Sequence, residues 1–160
     1  MPSMTEHAKL IDKIRQLPTQ AEAAVRNLSE KQLDTPYGPG KWTVRQVVHH
    51  LADSHMNAFI RMKLALLENH PTIKPYEQTD WATTQEALHA PVELSLSILR
   101  GLHGRWATLL ESLPEDSWSR AAFHPERKCD LTLADFLRLY SHHGENHVGQ
   151  ITGLRKAQGW

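Results

Sequence analysis

The chain has a single cysteine, Cys129, among 160 residues. An internal disulfide is therefore impossible, and so is a structural zinc site built on several thiolates. A lone thiol fits a reducing compartment. The N-terminus, Met1-Pro2-Ser3-Met4-Thr5-Glu6, lacks a basic stretch followed by an apolar run, so no signal peptide is expected. No stretch approaches the roughly 18–20 apolar residues of a membrane span. These absences predict a cytoplasmic protein with no membrane partner. Charge of one sign is also missing: Lys plus Arg number 18, and so do Asp plus Glu. That balance lacks the basic footprint of a nucleic-acid binder. Internal repeats and low-complexity tracts are absent too. With 40% hydrophobic residues, the chain reads as one domain over residues 1–160 with a single core.

What the chain does have is histidine, eleven in all, and four long segments with helical periodicity. The first carries Leu10, Ile14, Leu17, Ala21, Ala24, Val25 and Leu28. Ser3 with Glu6 reads as its capping box, and Pro18 is expected to kink or break it near Gln16–Leu17. Ser29 to Gln32 opens one short turn, and Thr35 to Gly40 is a loop. Thr43 with Gln46 is a second capping box, and the helix behind it should run to about Asn69, ahead of Pro71. Residues 70–90 read as a long connection with a short turn of helix. A third helix should run from Pro91 to Leu113. Residues 118–131 read as an irregular excursion. Thr132 with Asp135 caps the last helix, which runs to about Ala157 and is closed by Gly159. Four such helices predict an all-α fold, an antiparallel four-helix bundle with long connections.

His143 and His147 stand one turn apart in the last helix, so both rings face one spot. Gly144, Gly149 and Gly153 accompany them; each weakens the helix by roughly 1 kcal/mol relative to Ala, tolerable where a backbone or ligand approaches closely. Packing glycines around hydrogen-bonded core histidines are the plainer alternative. The second long helix offers His49, His50 and His55 as a third ring. On the helical wheel Gln46, His50, Ser54, Asn57 and Arg61 form a polar file bordering the apolar stripe, all within roughly 40° of His50. His49 points about 100° away, towards the expected solvent side, and His55 lies inside the apolar stripe as a core residue. The wheel thus favours His50. Three imidazoles with a free fourth position would make a catalytic metal site, lowering the pKa of a bound water or thiol. Arg61 and Arg105 are candidate anchors for an anionic substrate group. Asp53 is either an orienting carboxylate or a solvated one. Trp42, Trp81, Trp106, Trp118 and Trp160 read as packing residues, with Tyr76 and Trp81 candidates for a pocket mouth.

The run Trp42-Thr43-Val44-Arg45-Gln46-Val47-Val48-His49-His50-Leu51-Ala52-Asp53-Ser54-His55-Met56-Asn57 resembles the YfiT branch of the DinB/YfiT-like metalloenzyme superfamily. So do Leu33-Asp34-Thr35-Pro36-Tyr37, His103-Gly104-Arg105-Trp106, Phe123-His124-Pro125 and Gly159-Trp160. The resemblance implies an up-down-down-up four-helix bundle and a homodimer. It implies a divalent metal, Zn²⁺ or Ni²⁺, on residues that fall by position on His50, His143 and His147. For activity it implies a metal-dependent enzyme acting on a small molecule. Transfer of a low-molecular-weight thiol of the bacillithiol type is the preferred expectation. A hydrolase using hydroxide on the same metal, and a non-catalytic metal-binding or stress-related bundle, are the alternatives.

Overall fold

The computed structural model describes residues 4–160. Four long helices dominate: α1 (Met4–Val25), α3 (Val44–Leu67), α6 (Val92–Glu111) and α7 (Leu133–Gln158). Short elements fill the connections. These are α2 (Glu30–Leu33), α4 (Gln78–Ala82), α5 (Gln85–His89), a 3₁₀ turn over Glu115–Ser119, β1 (Ala121–His124) and β2 (Cys129–Thr132).

The helix starts follow the side-chain chemistry. Thr43 and Gln46 exchange side chain-to-backbone hydrogen bonds of 3.1 and 2.9 Å at the head of α3. Thr132 and Asp135 do the same for α7, and Ser29 and Gln32 for α2. Gly159 ends α7 at φ 71°, a left-handed conformation that suits glycine. The box expected at Ser3 and Glu6 involves Ser3, which lies outside the described residues. Helix α3 stops at Leu67, two residues short of expectation, with Glu68 already extended. Pro18 does not break α1, which runs through it.

Contacts between helices set their directions. Along α1 and α6, Arg15 pairs with Glu111 and Glu22 with Arg100, so these two run antiparallel. Lys13 meets Glu145 and Arg155 reaches the Ala24 carbonyl, so α1 and α7 run parallel. His49 bonds Ser95 and His55 faces His103, so α3 and α6 run parallel as well. The result is an up-down-down-up bundle in which α1 and α3 each pack against both α6 and α7.

Two apolar clusters fill the interior. One gathers Ile14, Met62, Trp106, Phe136 and Leu137; the other gathers Leu17, Val47, Leu51, Leu99 and Ile151. Each fully buried large side chain contributes about 1.5–3 kcal/mol. Between the two clusters three of the long helices each carry a histidine: His55 on α3, His103 on α6 and His143 on α7. The bundle therefore has a polar layer across its middle.

Residues 118–131, expected to be irregular, contain a two-stranded antiparallel hairpin with Ala121 opposite Thr132 and His124 opposite Cys129. Its edge also binds the long connection: Ile73 N–H donates to the Phe123 carbonyl (3.0 Å) and Phe123 N–H to the Pro71 carbonyl (2.9 Å). Four-residue strands carry too little pattern to be distinguished from loop. No helix of the described residues is long and apolar enough to cross a membrane.

Candidate metal centre

Helix α7 presents His143 and His147 on one face, and antiparallel α3 brings His50 to meet them. His143 Nε2 lies 3.3 Å from His50 Nε2 and 3.2 Å from His147 Nε2. Each of the three rings offers a nitrogen within 4.8 Å of the other two. His50 is buried; the α7 pair is half-buried. Trp42 lies against His50, with ring centroids 4.7 Å apart, and beside His147 at 6.5 Å.

Behind His143 a chain of rings crosses the bundle. His143 Nδ1 is 3.1 Å from His55 Nε2, and His55 Nδ1 is 3.0 Å from His103 Nε2. His103 Nδ1 is 2.5 Å from the Ile14 carbonyl oxygen. Proline lacks an N–H, so Pro18 leaves the carbonyl four residues earlier, that of Ile14, without its helical donor. His103 supplies the missing hydrogen bond. The proline that was expected to disturb α1 thus creates the acceptor at which the ring chain ends.

Burial keeps these rings neutral. It pushes His50 down to about 3, with the nearby His147 adding to the effect. His143 likewise falls to about 3, through burial first and then His147 and His50. His103 falls to about 4 through burial, partly opposed by its bond to Ile14. The fully buried His55 is driven well below its ordinary value, and burial lowers His147 as well.

Neutral rings carry one N–H each, so the hydrogen positions follow from the chain's end. A carbonyl oxygen only accepts, which places the His103 proton on Nδ1. His103 Nε2 then accepts from His55 Nδ1–H, and His55 Nε2 accepts from His143 Nδ1–H. His143 Nε2 is left as a bare lone pair pointing at the cluster. His147 reaches the same state separately, donating Nδ1–H to Gln150 Oε1 at 2.8 Å. Two lone pairs 3.2 Å apart cannot hydrogen-bond, whereas a cation between them satisfies both. Ligands at the usual Zn–N distance of about 2.0–2.1 Å with tetrahedral angles stand about 3.3 Å apart. The donor set, its tautomers and its spacing all fit a divalent metal.

The structure brings His50, His143 and His147 together as the wheel and the resemblance expected. It overturns the reading of His49 as solvent-facing. His49 is buried, 2.7 Å from Ser95 Oγ and 3.1 Å from the Ala90 carbonyl. The reason is that the start of α6 and Ala90, which ends α5, pack against that side of α3, a side the wheel treats as exposed. Arg61 is buried and lines a cleft beside His143. Arg105 is exposed, stacked over Phe59 at 5.5 Å on another face, and does not line that cleft. Asp53 is half-buried, its carboxyl raised to about 6 by burial and by Glu86. Of the three glycines, only Gly144 is a packing glycine: a Cβ there would stand 2.6 Å from a Leu17 methyl carbon, whereas Gly149 and Gly153 have open space. The residues missed were His103 and Gln150, and His55 was read only as core. The available signal was Pro18 with its freed carbonyl.

Residues 13–151 match the DinB superfamily model. A Geobacillus thermodenitrificans (strain NG80-2) protein named "Putative metal-dependent hydrolase" is 50% identical over 147 residues, covering 92% of this chain and 83% of that one. The Bacillus subtilis (strain 168) protein named "Putative metal-dependent hydrolase YfiT" is 43% identical, covering 99% and 89%. A solved structure of YfiT from Bacillus subtilis, described as a probable metal-dependent hydrolase with an unusual four-helix bundle topology, superposes with a TM-score of 0.98 at 42% identity. That match covers 100% of this chain and 91% of the other. With the superfamily model spanning most of its length and close relatives matched nearly end to end, this chain belongs to the DinB superfamily.

Proposed function

We propose that His50, His143 and His147 hold a catalytic divalent metal and that the protein is a metal-dependent hydrolase acting on a small molecule. The observation that carries this reading is the convergence of three neutral imidazole nitrogens, two of them 3.2 Å apart with bare lone pairs. A divalent cation bound there would polarise a substrate oxygen and make an anionic nucleophile available from water at neutral pH. The chain's own contribution is orientation. His55 and His103 hold the His143 ring by its Nδ1–H, Gln150 holds His147, and Trp42 covers the edge of His50. Three protein ligands leave a position free for a reactant, the pattern of catalytic rather than structural zinc sites. Zn²⁺ suits this donor set best, with Ni²⁺ the alternative, since imidazole accommodates both.

The names of the relatives support hydrolysis. Thiol transfer, which the sequence resemblance placed first, needs the same metal and gains no support from those names. Zinc-loaded protein incubated with a panel of carboxylic and phosphoric esters, with and without bacillithiol, separates the two. Hydrolysis independent of the thiol is the expected result; product that forms only with the thiol would replace the hydrolase by a transferase. The homodimer and the cytoplasmic setting belong to the same proposal and are tested by light scattering on the eluted protein and by cell fractionation.

A further inference from the structure

Beside His143 lies a cleft of about 90 Å³, room for roughly three waters at about 30 Å³ each. Arg61, Tyr76, His124, Arg127 and Tyr140 line it. Its position follows from the fold: α3 supplies Arg61, α7 supplies Tyr140, and the pairing of residues 71–73 with β1 draws Tyr76 and His124 to the same spot.

The cleft is rich in donors and cations and its lining contains no carboxylate. Arg61 is only 8% exposed. Its Nη1 donates to the Tyr140 hydroxyl at 3.3 Å and its Nη2 to the Lys74 carbonyl at 2.8 Å. Its Nε is buried without a partner, and among the described residues no carboxylate forms an ion pair with the guanidinium. The contrast with Arg45 is direct. Arg45 is equally buried, but Asp34 at 2.7 Å and Glu30 at 2.5 Å neutralise it. A buried cation without a counter-charge is costly in a lone protein and useful where a ligand brings the charge. Arg127 adds a second cation, exposed at the cleft. The Arg127 backbone N–H donates to His124 Nδ1 at 3.4 Å, which puts the His124 proton on Nε2 as a further donor.

We infer that this cleft is the anion-binding part of the active site and that the substrate carries a carboxylate or phosphoryl group, seated on Arg61 and Arg127 next to His143. The inference rests on the reading of the histidine cluster as the catalytic centre. Guanidinium groups pair with both anions in a two-pronged geometry. The hydrolysed bond then lies within a few atoms of a negative charge. Arg61 and Arg127 select the substrate, and the metal site acts on it.

The test uses the full-length protein, treated with chelator and separately loaded with zinc, titrated with inorganic phosphate and with acetate while backbone amide shifts are followed by NMR. Acetamide, the neutral counterpart of acetate, is the control. The expected result in metal-free protein is saturable shifts at residues 76, 124 and 127 with phosphate or acetate and none with acetamide. Whichever anion binds more tightly names the group. Arg127→Gln, an exposed change that leaves the core untouched, should weaken binding about fivefold or more. Arg61→Lys, which keeps the buried charge but loses the fork, should weaken it about tenfold. Absence of saturable shifts, or binding unchanged in both variants, overturns the inference. Binding in the metal-free protein does not require zinc. A protein that binds anion but no zinc would therefore refute the metal reading and leave the anion subsite standing.

Discussion

His143 Nδ1 lies 3.1 Å from His55 Nε2, and this contact ties a surface-accessible cluster to the centre of the bundle. His55 belongs to α3, its next partner His103 to α6, and the final acceptor, Ile14, to α1. One file of hydrogen bonds therefore touches all four long helices. It fixes which nitrogen of His143 faces the cluster, a condition for ligation that the ligand itself cannot set.

Breaking this file should weaken metal binding without touching a ligand. Outer hydrogen-bond partners of metal-bound histidines typically contribute 10–100-fold in metal affinity. His55→Gln is expected to lose zinc affinity within that range, measured by competition with a chromophoric chelator. Nitrogen-15 chemical shifts of metal-free wild-type protein should show His143 protonated at Nδ1. A His143 protonated at Nε2, or wild-type zinc affinity in His55→Gln, would contradict the relay.

Metal should also stabilise the fold. A ligand at a hundred times its Kd adds about 2.7 kcal/mol, which for a chain of this size raises Tm by about 5–10 °C. The shift should appear on adding zinc, reverse with chelator and vanish in His143→Ala. Calorimetry checks this directly, and an equal shift in His143→Ala would place the zinc elsewhere.

Metal-free protein should lose stability as the solution is acidified. His55 and His103 are fully buried, and their folded-state values lie below the ordinary 6.5, His103 at about 4. The unfolded chain takes up protons near pH 6.5 that the folded chain refuses. Their contribution is therefore intact above pH 6.5 and is lost as the pH falls through the window down to about 4. Two such rings give a slope of up to about 3 kcal/mol per pH unit in that window. Urea unfolding at a series of pH values measures it; a flat profile between pH 6.5 and 5 would refute neutral burial.

The glycines of α7 should separate cleanly. A Cβ on Gly144 would stand 2.6 and 2.8 Å from the two terminal carbons of Leu17 and 3.2 Å from its branch carbon. Leu17 is buried in the core and must shift to make room, so Gly144→Ala should destabilise by about 1–3 kcal/mol. Gly149→Ala and Gly153→Ala meet nothing within 4 Å, and each should stabilise the helix by up to about 1 kcal/mol. Denaturant midpoints of the three variants decide it.

The parts of this structure legible in the sequence were those governed by local rules. The capping boxes at Thr43 and Thr132, the long apolar stripes and the i, i+4 histidines are short-range patterns, and each folds as the pattern implies. What local rules cannot see is which helix covers which. The wheel placed His49 in solvent because nothing in residues 44–67 indicates that Ala90 and Ser95 lie over it. His103 looked unremarkable because its role depends on a carbonyl 89 positions away along the chain. Pro18 read as a breaker because a proline costs a hydrogen bond within its own helix; the compensating donor comes from another. Arg61 and Arg105 both read as candidate anchors, and the bundle put one beside His143 and the other over Phe59. The hairpin was missed because four-residue strands, one of them exposed at Cys129 and Asp130, carry no clear alternation.

The most direct test of the central claim is an anomalous scattering map at the zinc edge from crystals of the zinc-loaded protein. The account predicts one peak, about 2.0–2.1 Å from an imidazole nitrogen of each of His50, His143 and His147, with the fourth position open to solvent or substrate. A peak that excludes any of these three residues, or no peak at all at saturating zinc, would contradict it.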